Sequence, residues 1–257
     1  MGYEELQGKV IWVSGAAGTI GEAVCHQLAD SGAVLVLTGR NEAKLNALLG
    51  RLPGNSHGVI GTDVAKRQEV DHTAQRIAAE FGRIDVLVNS TTCPIFRPFL
   101  ELEDDDWLQV LDAKLLGYVR TCRAAIPRMI ETGGGVIVNI SGQGGHRPRA
   151  PSHFAGCCAN GGVNTLTKGL SLHFKDQGIR VNAVAPGPIA SERYDHIAKA
   201  DEEILRNKNS LSGAVPAPSD LEGPEVIADI VAFLASDSSR HLNGTVLQAD
   251  GGRTESL

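Results

Sequence analysis

Aromatic side chains are scarce in this 257-residue chain: six Phe, three Tyr and two Trp, or 4% of the residues. No Tyr lies between Val119 and Arg193. No apolar run approaches the ~20 residues that a membrane-spanning helix needs, and no signal or transit segment is visible, so a cytoplasmic protein is expected. The five cysteines (25, 93, 122, 157, 158) are odd in number and follow no metal-ligand spacing. Cys157 and Cys158 are adjacent and make a poor disulfide pair, so all five read as reduced thiols and no metal site is expected. Positive charge is in deficit: 24 Lys and Arg against 30 Asp and Glu give a formal net charge of −6. That balance argues against nucleic acid or a membrane surface as a general partner. Repeats, low-complexity tracts and linkers are absent. The length suits one large α/β domain over residues 1–257.

Glycine, by contrast, is plentiful, with 30 residues. Lys9–Val13 is a short apolar run of strand type. The turn Ser14-Gly15-Ala16-Ala17-Gly18-Thr19-Ile20-Gly21 follows, and Glu22–Asp30 carries apolar residues at helical spacing. Strand, glycine turn and helix together are the arrangement that binds a dinucleotide pyrophosphate. Gly15 allows a tight turn, Gly18 lets the backbone approach the phosphates, and Gly21 lets the helix sit close to the strand. The helix N-terminus then offers free N–H groups to the anion.

A second strand, Val34–Thr38, ends at Gly39-Arg40-Asn41. An acidic residue at this place would bind a ribose 2′-hydroxyl. None is present, and the planar donor fork of Arg40 suits a 2′-phosphate. NADP is therefore expected, with NAD as the alternative if Arg40 is only a solvated residue opening the helix Asn41–Leu49. Further strands are expected at Ser56–Gly61, Ile84–Val88, Gly135–Ile140, Ile179–Ala185 and Gly244–Ala249. Helices are expected at Lys66–Phe81, about Glu103–Ile130, about Ser152–Gln177 and Glu225–Ala235. The alternation implies one doubly wound parallel sheet of about seven strands with helices on both faces. Ligands in such sheets bind at the carboxyl ends of the strands, where Asn89, Ser141 and Pro186-Gly187 fall. Polar Ser191–Gly213 interrupts the rhythm and reads either as a mobile lid or as disorder without function. Pro94, Ile95, Phe96 and Phe99 suggest an apolar inner wall.

Ser14–Gly21, Asp63-Val64, Asn89, Val138-Asn139-Ile140-Ser141, Ile179–Gly187, Ala235-Ser236-Asp237, Asn243-Gly244 and Asp250-Gly251-Gly252 together resemble the short-chain dehydrogenase/reductase family over nearly the whole chain. The resemblance implies a Rossmann-type sheet, a nicotinamide cofactor, a small-molecule substrate and a homotetramer. It also implies that the turn residues Gly15, Ala17, Gly18, Thr19 and Ile20 hold the nucleotide. Asp63 and Val64 would contact the adenine, and Asn89 would lie beside the adenosine ribose. Pro186, Gly187, Ile189 and Ser191 would border the nicotinamide.

The family's chemistry uses Asn, Ser, Tyr and Lys, with Tyr and Lys four apart on one helical face. Aligned on this chain, the Tyr position is Gly156, the Lys position is Asn160 and the Asn position is Lys114; the serine is Ser141 or its neighbour Gly142. Lys and Asn have thus changed places. The exchange would keep one ammonium in the site, delivered from the other helix, with Lys114 and Asn160 in direct or single-water hydrogen-bond reach. The rival reading is a degenerate site with a solvated lysine. His153, three residues before Gly156, is the candidate for proton transfer as acid or base, unless it lies in the preceding loop and faces solvent. His146, Arg147 and Arg149 read either as an attractor of an acidic substrate or as a solvated loop. Cys157 and Cys158 read as packing residues. The expected activity is hydride transfer to or from a carbonyl or alcohol through a non-standard site. A lyase, isomerase or cyclase on the same fold, and a non-catalytic NADP-binding protein, are the alternatives.

Overall fold

The computed structural model describes residues 3–148, 150–208 and 221–253. Seven parallel strands form one sheet: β1 (Val10–Ser14), β2 (Val34–Gly39), β3 (Gly58–Gly61), β4 (Val86–Asn89), β5 (Gly135–Ile140), β6 (Ile179–Pro186) and β7 (Val246–Ala249). Their spatial order is β3-β2-β1-β4-β5-β6-β7. The order reverses between β1 and β4, where Ser14 stands in register with Asn89. A crevice opens at such a switch point, because the connections leave β1 and β4 toward opposite sides.

Side chains alternate along each strand and so feed two cores. On one face, Ile11, Val13, Leu35, Leu37, Val88, Val138 and Val184 pack with α1 (Thr19–Asp30), α2 (Glu42–Leu49) and α8 (Glu225–Ala235). On the other, Trp12, Val36, Ile60, Leu87, Ile137 and Val181 pack with α3 (Arg67–Phe81) and α5 (Gly117–Glu131). Trp12 is fully buried, and its indole N–H donates to Thr38 Oγ1 at 2.9 Å, so no polar atom of the ring is stranded.

The elements lie where the apolar patterns put them, with three differences. The segment Glu103–Ile130 is not one helix. It divides into α4 (Asp104–Leu111), a π-helical turn at Asp112–Leu116, and α5. Arg120 stitches the junction: its guanidinium donates to Val64 O at 3.0 Å, Asp112 O at 3.3 Å and Asp112 Oδ1 at 2.6 Å. The expected helix Ser152–Gln177 is α6 (Phe154–His173) followed by one 3-10 turn. Ser191–Gly213 is neither irregular nor a loop through Lys208: it forms α7 (Glu192–Lys208). Ser191 caps this helix, accepting from Tyr194 N at 3.1 Å. The rest of that segment, residues 209–213, lies outside the described residues, as does Arg149.

Candidate active site

A cavity of about 780 Å³ opens at the carboxyl ends of β1, β4, β5 and β6. Its walls are the β1–α1 turn, the segments after β4, β5 and β6, the π-turn and α7.

At the cofactor end, the backbone leaves no room for side chains. Gly15 has φ +79°, and a Cβ there would stand 2.8 Å from the Ser90 backbone. A Cβ on Gly21 would strike the carbonyl oxygen of Gly15. Helix α1 starts at Thr19 with no side-chain cap, so its leading N–H groups remain for an anion. Ala17, Gly18, Thr19 and Ile20 line the cavity, as do Pro186, Gly187, Ile189 and Ser191. Gly187 donates its N–H to Ala249 O at 2.9 Å, and a Cβ on it would meet Asp250 at 2.8 Å. These residues fit a nicotinamide dinucleotide.

Four other residues implied for the cofactor lie off the cavity wall. Arg40 is exposed just past β2. Asp63 closes a local turn, accepting from Ala65 N at 3.1 Å, and Val64 is buried against Gly117. Asn89 is fully buried, with its side chain committed to the sheet interior. It donates to Asn139 Oδ1 at 2.9 Å and accepts from Thr121 Oγ1 at 2.7 Å, pinning β4 to β5 and α5.

The implied catalytic residues do gather in one place. Lys114, Ser141, His153 and Asn160 all line the cavity. Lys114 is buried, turned inward by the π-turn. Its Nζ donates to Ile140 O at 3.0 Å and Ser141 O at 3.3 Å. Burial, and then the charge of Arg193, lower its pKa from 10.5 to about 7. Asn160 is buried on the facing helix, 2.6 Å from where a Cβ on Gly142 would stand. Among the described residues its Oδ1 has no hydrogen-bond partner. No direct bond joins Lys114 to Asn160; the chain at Ser141-Gly142 touches both.

His153 does not face solvent. It stands at the N-cap of α6, and its Nε2 fills the space where a Cβ on Gly156 would lie. The Nε2 is bonded to Arg193 Nη2 at 2.9 Å. A guanidinium can only donate, so Nε2 accepts and the ring proton sits on Nδ1. Burial, then Arg193 and Lys114, lower the His153 pKa from 6.5 to about 3. The imidazole is therefore neutral at physiological pH, and the imidazolium that a general acid requires is not formed.

The apolar wall expected from Cys93–Phe99 is displaced. None of those residues lines the cavity; Phe96 instead backs its wall, with its ring 5.0 Å from the Arg193 guanidinium and 5.5 Å from the His153 ring. The wall itself comes from α7, through Tyr194, Ile197, Asp201 and Leu205. Asp201 Oδ1 accepts from Ser152 N at 2.9 Å, fastening α7 to the segment before α6.

Three further residues at this site escape the sequence reading. Tyr118, one turn after Lys114, is buried and donates to Ile140 O at 2.9 Å, beneath the ammonium. Tyr194 brings a phenol to the cavity from α7; burial raises its pKa. Arg193 is the third. The available signal was Ser191 ahead of Glu192 and Asp195, a helix-start pattern followed by Tyr194, Ile197 and Ile204 at helical spacing.

The chain matches the family model described as enoyl-(acyl carrier protein) reductase over residues 15–254. It is 36% identical to a D-threitol dehydrogenase of Mycolicibacterium smegmatis over 251 residues, 97% of this chain and 94% of that one. It is 32% identical to a glucose 1-dehydrogenase of Gluconobacter oxydans, over 98% of this chain and 94% of the relative. A crystal structure of a short chain dehydrogenase from Mycobacterium smegmatis superposes with a TM-score of 0.82 at 28% identity, covering 98% of this chain and 96% of that one. With the nucleotide-shaped turn, the switch-point cavity and these full-length likenesses in agreement, the chain belongs to the short-chain dehydrogenase/reductase family of oxidoreductases.

Proposed function

We propose that this protein is an NADP-dependent dehydrogenase/reductase of a small carbonyl or alcohol, in which an ammonium rather than a phenol handles the proton. The observation that carries this reading is Lys114 Nζ, buried in the cavity and bonded, among the described residues, to two carbonyl oxygens. An ammonium has three N–H groups, so one remains for the substrate oxygen. A nicotinamide nucleotide bound in the same cavity supplies or accepts the hydride. As negative charge develops on the substrate oxygen, Lys114 stabilises it and gives up a proton. The neutral amine that results keeps two N–H groups, enough for Ile140 O and Ser141 O. A pKa near 7 keeps donor and acceptor forms both accessible at neutral pH. Ser141, whose carbonyl oxygen holds the ammonium, also lines the cavity. Asn160 offers its free Oδ1 for a water bridge toward Lys114, the reciprocal of the family's usual placement.

Arg40, with no acid at the end of β2, supports the phosphorylated nucleotide. The chain is read as one domain, cytoplasmic, and assembled as a homotetramer through α5, α6 and the β7 edge.

Fluorescence titration with NADPH and NADH, followed by absorbance assays on carbonyl and alcohol panels, tests this. NADPH should bind more tightly, and Arg40→Ala should erase the preference. Lys114→Met should lower kcat by about 10²–10⁴-fold, while Tyr194→Phe keeps most of it. Loss in Tyr194→Phe with Lys114→Met active would assign the proton to the phenol instead.

A further inference from the structure

We infer that the substrate of this cavity carries a carboxylate and that Arg193 is the residue that holds it; this rests on the dehydrogenase reading above and names its substrate class.

Arg193 lies in the first turn of α7 and reaches the cavity wall. Its guanidinium is held on two sides. The flat face lies over the Phe96 ring at 5.0 Å, and Nη2 is tied to His153 Nε2 at 2.9 Å. The acceptor is available because His153 stays neutral, and the ring has room because residue 156 is glycine. Three residues thus fix the plane of one guanidinium.

Among the described residues, no carboxylate pairs with this guanidinium. Nη1 is buried and, among the described residues, has no hydrogen-bond partner. The groups whose charge acts on Arg193 to favour its cation are the thiols of Cys93 and Cys157 and the phenol of Tyr118, and no carboxylate is among them. Burial raises the Cys157 thiol to about 11 and pushes that of Cys93 up as well, so both are neutral at physiological pH. Of the acidic residues on the cavity wall, Asp201 is engaged with Ser152 N, and Glu192 is exposed. Lys114 adds a second cation close enough for Arg193 to lower its pKa. Lys114 and Arg193 therefore share one end of the cavity, and among the described residues neither is paired with a carboxylate. Such an arrangement is unfavourable in the empty protein and is relieved by an anionic ligand.

A planar guanidinium with Nη1 unpartnered beside Nη2 has donors spaced for two oxygens in a plane, which is the geometry of a carboxylate. The supports of Arg193 come from the segment after β4 and the start of α6, not from the β1–α1 turn, so its anion belongs to the substrate side. The division of labour follows: Arg193 anchors the carboxylate, and Lys114 meets the reacting oxygen.

The test is calorimetric binding to the full chain without nucleotide, using 2-oxobutanoate, 3-hydroxybutyrate and 4-oxopentanoate, each against its methyl ester. At least one acid should bind about 10–100-fold more tightly than its ester, the range of a charge-assisted hydrogen bond. Arg193→Met should abolish that preference, and Arg193→Lys, which keeps charge but not the fork, should retain only part of it. The wild-type acid–ester comparison stands even if a variant fails to fold. Equal binding of acid and ester, no binding by any of the acids, or an undiminished preference in folded Arg193→Met would overturn the proposal. A preference for glycerol phosphate over all three acids would do so too. Because the readout needs neither nucleotide nor turnover, its outcome is separate from that of the hydride-transfer reading. Acid binding without NADPH binding defeats only the latter, and turnover of neutral ketones with acids ignored defeats only the former.

Discussion

Two side chains in the cavity are held away from their ordinary protonation states, and both shifts have the same sign for stability. His153 falls from 6.5 to about 3 and Lys114 from 10.5 to about 7, each first through burial. Between the folded and unfolded values, the unfolded chain binds a proton that the folded chain does not. Stability must therefore rise with pH across each interval, from about 3 to 6.5 for His153 and from about 7 to 10.5 for Lys114. Urea midpoints should climb between pH 4 and 6.5 and climb again above pH 7, and His153→Gln should shrink the lower climb. A midpoint indifferent to pH below 6.5 would mean that the imidazole is not enclosed as described. Catalytic groups commonly oppose stability in this way, because the environment that tunes them also penalises their charge.

The π-turn at Asp112–Leu116 is the element on which the site depends. A uniform helix through Glu103–Ile130 would carry residue 114 on a different bearing, and the wider turn lets Lys114 enter the cavity. Gly117, at the first position of α5, permits the turn to sit against the segment that follows β3. A Cβ there would stand 2.9 Å from Val64 Cγ2 and 3.2 Å from Val64 Cβ. Val64 is buried and, being β-branched, has little rotamer freedom to give way. Ala would add about 1 kcal/mol of helix propensity, but overpacking of this kind costs about 1–3 kcal/mol. Gly117→Ala should therefore lower the melting temperature by a few degrees, at about 2–4 °C per kcal/mol, and should reduce turnover further by shifting Lys114. Differential scanning calorimetry beside steady-state kinetics would measure both.

For the whole molecule, the proposed tetramer has a physical place to form. A groove of about 620 Å³ between α5 and α6 is lined largely by apolar side chains, including Val119, Ile126, Ile130, Leu166, Leu170 and Phe174. Ile130 is 41% exposed there, and the proposed assembly would cover it. Ile130→Glu should convert the expected tetramer to a smaller species in light scattering. An unchanged mass would exclude this face from the assembly.

Much of this molecule was legible without coordinates, because the relevant signals are local. The apolar runs that become β1, β4, β5 and β6 are buried on both faces and read as strands. Gly15, Gly18 and Gly21 mark the turn that approaches a phosphate. Counting residues against the family's pattern puts Lys114, Ser141 and Asn160 together, and all three line one cavity. What could not be read locally depends on packing between distant segments. The π-turn arises where Arg120, Asp112 and Val64 meet. The polar stretch after Ser191 becomes α7 because its Tyr194, Ile197 and Leu205 find the cavity to cover. The protonation states of His153 and Lys114 follow first from burial and then from an arginine that is 40 residues from one and 79 from the other in the chain. Spacing along a chain fixes which atoms lie close in one element. Charge, burial and the orientation of a guanidinium are set by which elements fold against each other.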